Sequence, residues 1–325
     1  MSRLLHRTAL FSLTFLAAFA SQLAHSAGPE EVRVDWATYN PVSIVIRTQG
    51  LLEKEFEKDG TKIRWVQSAG SNKALEFLNA SAIDFGSTAG SAALVARING
   101  NPIKSIYVYS RPEWTALVTK SGSGITKVSD LKGKSVAVTR GTDPHIFLVR
   151  ALADAGLTDK DVKFVLLQHA DGRLALIRGD VDAWAGLDPM MASAELEDGA
   201  ILFFRKPEAN TWGILNVREE FAEQNPEVVA RVLKVYEQAR KWSLANPKEV
   251  TKLLAEAAKI PEKVAEKQLT ERTQLTHSAI GKPQYDSILA AGLALQQAGV
   301  VQPNVDVRKT VDELIDTRFN SKLTN

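Results

Sequence analysis

Residues 162–189 read VKFVLLQHADGRLALIRGDVDAWAGLDP. Val162–Leu167 has the length and β-branched content of a strand, Gly172–Arg178 carries apolar residues at helical spacing, and Asp182–Ala185 is a second short strand. Asp188-Pro189 then opens a helix expected over Pro189–Leu196. Asp accepts a bond from an orphan N–H as N-cap, and Pro takes a position where no helical bond is lost. Strand, helix, strand, helix is the unit of an open, mostly parallel α/β sheet.

The unit occurs twice. Residues 62–86 read KIRWVQSAGSNKALEFLNASAIDFG. There Leu75–Ala80 leads into Ile83-Asp84-Phe85 as Leu174–Gly179 leads into Val181-Asp182-Ala183-Trp184. Two related lobes, rather than one large sheet, account for such a repeat. Further strands are expected at Val32–Ala37, Lys62–Gln67, Ile83–Gly86, Ser105–Tyr109, Thr115–Thr119, Ser135–Thr139, Ala200–Phe204 and Gly213–Val217. Helical spacing also marks Ser43–Phe56, Lys73–Leu78, Ala92–Ile98 and His145–Ala155. After about Arg218 the pattern turns helical through Glu227–Leu244, Glu249–Ala258, Glu262–Thr270, Gln284–Gln297 and Arg308–Thr317, a wrap around the α/β part.

The chain has 325 residues, 45% hydrophobic and 24% charged, the balance of an ordinary globular protein. That length predicts two domains, each with a core of its own. There is no Cys, which removes disulfides, thiolate metal sites, iron–sulfur clusters and cysteine nucleophiles. Lys and Arg total 40 against 38 Asp and Glu, without a basic stripe, so nucleic acid is not expected as a partner.

Residues 1–27 stand apart. Arg3, His6 and Arg7 precede the apolar run Leu10–Ala20, and Ala24-His25-Ser26 fits a small-x-small cleavage signal, with Ala20 and Ala27 as other cleavage points. This is the layout of a secretory signal peptide whose apolar run is too short to span a bilayer. Loss of Arg3 and Arg7 brings the 40 basic residues level with the 38 acidic ones. The expected mature protein is exported, soluble and neutral.

Several features point to an anion site. The helix starts Asn40-Pro41, Asp143-Pro144 and Asp188-Pro189 directly follow expected strands, at the sheet edge where open α/β folds bind ligands. Three other strand-to-helix loops are small and polar: Ser68-Ala69-Gly70-Ser71, Gly86-Ser87-Thr88-Ala89-Gly90-Ser91 and Arg140-Gly141-Thr142. Backbone N–H groups in such loops approach an anion closely, and helix N-termini favour negative charge. Charge-assisted hydrogen bonds contribute about 1.5–3 kcal/mol each, so four or five approach the roughly 8 kcal/mol of micromolar binding. Tyr39, Trp114, Trp184 and Trp212 lie near the same edges and suit either a pocket wall or packing. Trp36 and Trp65, inside strands, read as core. Arg111 suits an anion clamp and a surface pair with Glu113 equally.

Enzyme chemistry finds little support in the same residues. His145, His169 and His277 are widely separated and lack metal-ligand spacing. Gly86-Ser87-Thr88-Ala89-Gly90 has Thr where a nucleophile elbow needs Ser, and neither a Gly-x-Gly-x-x-Gly nor a phosphate-loop motif occurs.

Taken together, these pieces resemble the periplasmic substrate-binding proteins of sulfonate ABC transporters, within the nitrate/sulfonate/taurine and thiamine-precursor-like group. The resemblance runs from about Val32 to Thr317. Its specific parts are Tyr39-Asn40-Pro41, Ala82-Ile83-Asp84-Phe85-Gly86 and Val128-Ser129-Asp130-Leu131-Lys132-Gly133-Lys134. The others are Gly141-Thr142-Asp143-Pro144-His145 with Leu148–Leu152, and Val181-Asp182-Ala183-Trp184 followed by Asp188-Pro189.

The resemblance implies an α/β, two-lobed type II periplasmic binding fold with hinge strands between the lobes. Lobe one would be residues 28–114 plus 217–325, and lobe two residues 115–216. By the family pattern the sulfonate oxygens sit among Ser87, Thr88, Gly141 and Thr142, and the organic tail faces Tyr39, Trp114, Trp184 and Trp212. Asn40, Arg111, Asp143 and Asp188 complete the candidate ligand-binding set. Ala185-Gly186-Leu187 and Met190 depart from the alkanesulfonate pattern and leave room for a larger tail. The implied partners are a small sulfonate, an ABC permease and its ATPase subunit, with a monomeric protein, no metal and no cofactor. Taurine, nitrate, an aromatic sulfonate and an aminopyrimidine thiamine precursor are the competing ligands, and an Asp188 contact would favour the last. A thiamine-precursor-synthase-like enzyme and a sensory partner of a membrane receptor are the readings from other classes.

Overall fold

The computed structural model describes residues 28–323; the expected signal peptide lies outside the described residues. The chain begins with β1 (Glu31–Trp36), α1 (Pro41–Thr48), α2 (Leu51–Phe56), β2 (Lys62–Gln67), α3 (Ser71–Asn79), β3 (Phe85–Ala89), α4 (Gly90–Ile98) and β4 (Ile103–Pro112). It then crosses to a second sheet through β5 (Leu117–Thr119), β6 (Ser135–Val138), α5 (Asp143–Asp154), β7 (Lys163–Leu166), α6 (His169–Arg178), β8 (Ala183–Ala185), α7 (Met190–Asp198) and β9 (Ile201–Phe204). It returns by β10 (Gly213–Arg218) and wraps the first lobe with α8 (Glu219–Gln224), α9 (Pro226–Ala245), α10 (Pro247–Ala258), α11 (Glu262–Glu271), β11 (Thr273–Gln274), α12 (Lys282–Gln297) and α13 (Val307–Leu314).

The sheets have strand orders β11-β4-β10-β3-β1-β2 and β7-β6-β8-β5-β9. Within them β2-β1-β3 and β7-β6-β8 are parallel trios, each flanked by an antiparallel strand, β10 beside β3 and β5 beside β8. The repeat seen in the sequence is therefore a repeat of topology. Its two marker carboxylates act alike: Asp84 accepts from the Arg33 N–H at 2.9 Å, and Asp182 from the Ser135 N–H at 2.8 Å. Each ties the start of a third strand to the first strand of its own trio. Asp84 is also bracketed by the Arg33 and Arg218 guanidiniums, so its buried charge is paired.

The inner strands β3, β6 and β8 are buried along almost their whole length and lack clean alternation, whereas the edge strands β2 and β7 keep exposed positions. Val32, Val34, Phe85, Leu52 and Phe56 anchor the core of the first lobe, and Val136, Val138, Leu148 and Leu152 that of the second. Three local differences from expectation have physical causes. The helix expected over Ser43–Phe56 is broken at Gly50, whose φ of +61° starts α2 in a new direction. The strand expected to end at Gly86 continues to Ala89, paired residue by residue with β10, so the small residues there are sheet rather than loop. The short β11, next to the edge of β4, escapes any pattern at two residues.

The lobes are joined by the segments between β4 and β5 and between β9 and β10. These cross side by side: the Thr115 N–H donates to Asn210 Oδ1 at 2.9 Å. β10 joins the first sheet from Gly213 onward, four residues ahead of the boundary read from the sequence.

Candidate functional site

The α/β repeats set helix N-termini at the carboxyl ends of parallel strands, and the two lobes bring them face to face. A narrow cavity between the lobes is lined by Tyr39, Ser71, Trp114, Thr142, Asp143, Pro144, His169 and Leu187. Ser71, Asp143 and His169 are the first residues of α3, α5 and α6. Their caps, Gly70, Thr142 and Gln168, make no side-chain capping bond, so the positive ends of three helices point at one space. The space is small: about 200 Å³ is free of atoms, part of it open to solvent, and the centre of a water reaches only about 10 Å³ of it.

Polar atoms around this space lack partners. His169 Nε2, Asn72 Oδ1 and Gln168 Oε1 are buried and have no hydrogen-bond partner among the described residues. Gly70 keeps the gap between two of them open, since a Cβ there would lie 2.8 Å from Asn72 Oδ1 and 3.0 Å from His169 Nε2. Across the cleft Gly141, at φ +78°, turns the chain into α5 so closely that its own Cβ would stand 3.7 Å from Asn72 Cβ. Burial alone lowers the His169 imidazole to about 3, leaving it neutral.

The apolar wall is Tyr39 and Trp114, edge to face at 6.1 Å, with Pro144 and Leu187. Tyr39 is held by donating its hydroxyl to the Ser87 carbonyl at 3.0 Å. Trp114 is held by donating Nε1 to Asp143 Oδ2 at 2.8 Å. Asp143 is saturated: Oδ1 also accepts from Ser91 Oγ at 2.5 Å and Thr211 Oγ1 at 2.8 Å, and Oδ2 from the Thr211 N–H at 3.0 Å. Burial raises its carboxyl, and these donors oppose the rise. One carboxylate thus joins α5 of the second lobe to α4 of the first and to both crossing segments.

Of the residues singled out in the sequence, Tyr39, Trp114, Thr142 and Asp143 line the cavity, and Gly141 borders it. Asn40 caps α1 and donates Nδ2 to Ser87 Oγ at 2.8 Å. Ser87 donates its N–H and Oγ to Asp35, whose carboxyl burial pushes up to about 6. Thr88 Oγ1 donates to Ala89 O and accepts from Asn216 Nδ2 at 2.7 Å. Those two hydroxyls are spent inside the sheet because β3 continues through them. Trp184 packs in the second-lobe core against Gly172, where a Cβ would be 2.7 Å from its Nε1. Arg111 is exposed and lies 5.2 Å over the Trp212 ring, which also meets His277 edge to face. Asp188 accepts from Arg272 Nη1 at 3.1 Å, and the same guanidinium bonds Glu195. Because β11 fixes Arg272 to the first sheet and Asp188 follows β8 of the second, this is a cross-lobe ion pair.

Sequence reasoning missed His169 and Arg272; Ser71 lay in a loop it marked for anion binding, and Leu187 in the stretch it marked for the tail. The repeat carried a signal for one: superposing Leu75–Ala80 on Leu174–Gly179 sets Gly70 on His169, the two positions that meet across the cleft. Among the described residues no cluster of three or more His, Asp or Glu could hold a metal ion. No described helix is long and apolar enough to cross a membrane.

The sequence profile of the family described as NMT1/THI5 like matches residues 55–250. The chain belongs to the NMT1/THI5-like family. It is 29% identical, over 94% of its length and 93% of the relative's, to an Escherichia coli (strain K12) protein provisionally named as aliphatic sulfonates-binding. To the taurine-binding periplasmic protein of the same organism it is 29% identical, over 72% of each chain. In three dimensions it is similar to the alkanesulfonate-binding protein SsuA of Xanthomonas axonopodis pv. citri bound to MOPS. The TM-score is 0.79 at 26% identity, covering 87% of this chain and 98% of that one. The two-lobed architecture of this NMT1/THI5-like chain is thus the α/β periplasmic-binding-protein fold.

Proposed function

We propose that this protein captures an organic sulfonate between its lobes outside the cytoplasm and delivers it to an ABC importer. The observation that carries this reading is the meeting of three helix N-termini, drawn from both lobes, on one cavity walled by Tyr39 and Trp114. A sulfonate stays anionic across the biological pH range, so backbone N–H groups and helix ends hold it without a compensating base. Its carbon tail suits the aromatic side. The names of the relatives support the same ligand class.

Capture works by closure. Lobe one, residues 28–114 with 217–325, and lobe two, residues 115–216, part to admit the ligand, because the cavity of the empty molecule holds about one water, and they re-close on the ligand less tightly than in that empty state. The anion then stabilises the closed state by bonding to both lobes. The mature protein, freed of residues 1–27 in the periplasm, docks as a monomer on a permease whose ATPase subunit supplies the energy. No step requires a catalytic group or cofactor. The Asp188 carboxylate is engaged by Arg272, which favours sulfonate, taurine or nitrate over an aminopyrimidine that needs a free carboxylate.

A thermal-shift panel on unfolded, dialysed and refolded protein tests this. At a hundredfold excess over Kd a true ligand adds about 2.7 kcal/mol of stability, a readily measured rise in Tm. A rise with alkanesulfonates and none with nitrate or an aminopyrimidine supports the reading; a rise with either of those alone overturns it.

A further inference from the structure

The cleft contains a titratable group that the binding of a permanent anion does not require. His169 opens α6, is buried, and lines the cavity. Its hydrogen bonds define which nitrogen carries the proton. Thr139 Oγ1 donates its only proton to the Leu167 carbonyl at 2.7 Å, so at the 3.2 Å contact with His169 Nδ1 it is the acceptor. Nδ1 is therefore the protonated nitrogen of the neutral ring. Nε2 is then a bare lone pair, without a partner and beside the gap that Gly70 leaves open. A lone pair repels an anion. The same nitrogen carrying a proton is a charged donor directed at it.

We propose that His169 couples anion capture to proton uptake: the sulfonate binds together with one proton, taken from the acid form of the buffer, which bonds to Nε2 and makes the ring an imidazolium donor. The proposal rests on the sulfonate reading of the cleft. It makes His169 the residue that reads charge, since a neutral ligand gives the ring nothing for which to take up a proton. Charged groups on the surrounding elements are Asp143, Arg150 and Asp154 on α5, Arg140 ahead of α5, Lys73 and Glu76 on α3, Asp171, Arg173 and Arg178 on α6, and Glu195, Glu197 and Asp198 on α7, with His145 on α5 a further titratable group. Lys73 is paired with Glu76, Arg173 with Glu197 and Asp198, and Asp143 with its own donors. Tyr39, a further titratable group on the cavity, gives its proton to Ser87 O. The empty site lowers the imidazole to about 3 by desolvation alone. A unit negative charge about 4 Å away, at an effective permittivity of about 20, raises a pKa by about three, enough to bring protonation of the occupied ring into the mildly acid range.

Calorimetric titration of the mature protein with butanesulfonate, in two buffers of unlike heat of ionisation and neither a sulfonate, reads the proton count directly. Close to one proton is expected per ligand at about pH 5 and almost none at about pH 8, with affinity about tenfold higher at the lower pH. His169→Gln, which keeps a neutral donor of similar reach, should bind with no uptake and no pH dependence. Imidazole nitrogen shifts of the wild-type protein identify which histidine gains the proton, so the assignment does not depend on the variant folding. Binding heat without uptake overturns the proposal and leaves the sulfonate reading intact. Uptake that persists in H169Q, or a proton appearing on His145 or His277, also overturns it. No heat with any sulfonate removes the reading and the proposal together.

Discussion

Arg272, anchored to the first lobe by β11, donates from Nη1 to Asp188 of the second lobe at 3.1 Å, and both side chains are only 1% exposed. A buried pair that spans two movable bodies acts on their equilibrium. Removing one partner of such a pair costs about 3–5 kcal/mol when the other stays buried. Here the cost is relieved if the lobes part and wet Asp188. Arg272→Ala is therefore expected to open the unliganded protein, raising its radius of gyration in small-angle scattering and weakening ligand binding. An unchanged radius would show that the pair does not latch the lobes.

Asp143 ties more together than any other side chain in the cleft. Asp143→Ala would leave Ser91 Oγ, Trp114 Nε1 and the Thr211 donors without their acceptor. Buried groups left unpaired cost about 1–3 kcal/mol each. A loss of about 3 kcal/mol or more in urea unfolding is expected, with Trp fluorescence reporting a looser Trp114. A loss under about 1 kcal/mol would contradict the network.

The pH dependence of stability tests Asp35. Burial holds its carboxyl at about 6 in the folded chain, against about 3.9 unfolded. The folded state keeps a proton that the unfolded chain has released. Its contribution is therefore full below about pH 3.9 and is lost as pH rises through about 6, roughly 3 kcal/mol in all. The stability of wild type relative to Asp35→Asn should fall by that order between about pH 4 and pH 7. A constant difference would mean that Asp35 titrates normally.

Gly70→Ala tests where the ligand sits. The added methyl would enter the gap between Asn72 Oδ1 and His169 Nε2, while the backbone at Gly70, φ 162°, is extended and open to any residue. Stability should fall by about 1–3 kcal/mol as Asn72 or His169 shifts to admit the methyl, and ligand affinity of the folded variant should fall at least tenfold. Unaltered affinity would place the ligand elsewhere.

Much of this architecture was legible in the sequence, because strand–helix alternation and the Asp84/Asp182 repeat are local patterns. Asp143-Pro144 was legible for the same reason, its spacing marking a helix start at a strand end. Other parts left no local trace. Whether Ser87 and Thr88 lie in a loop or in a sheet depended on their pairing with β10, far along the chain. Trp184 and Trp114 sit in similar sequence surroundings, yet one packs under Gly172 and the other walls the cleft. The Asp188–Arg272 pair joins residues 84 apart, and the partner of a lone Arg is not written in its neighbours. His169, one polar residue at a helix start, stood out only once its unpartnered nitrogen was seen in three dimensions.

The most direct test of the central claim is the crystal structure of the refolded mature protein with butanesulfonate. The account predicts the sulfonate in the cavity between Ser71, Thr142 and His169, its oxygens within hydrogen-bonding distance of the N-termini of α3, α5 and α6. Its carbon chain should lie against Tyr39 and Trp114. A sulfonate bound outside that cleft, or an empty cleft at saturating ligand, would contradict it.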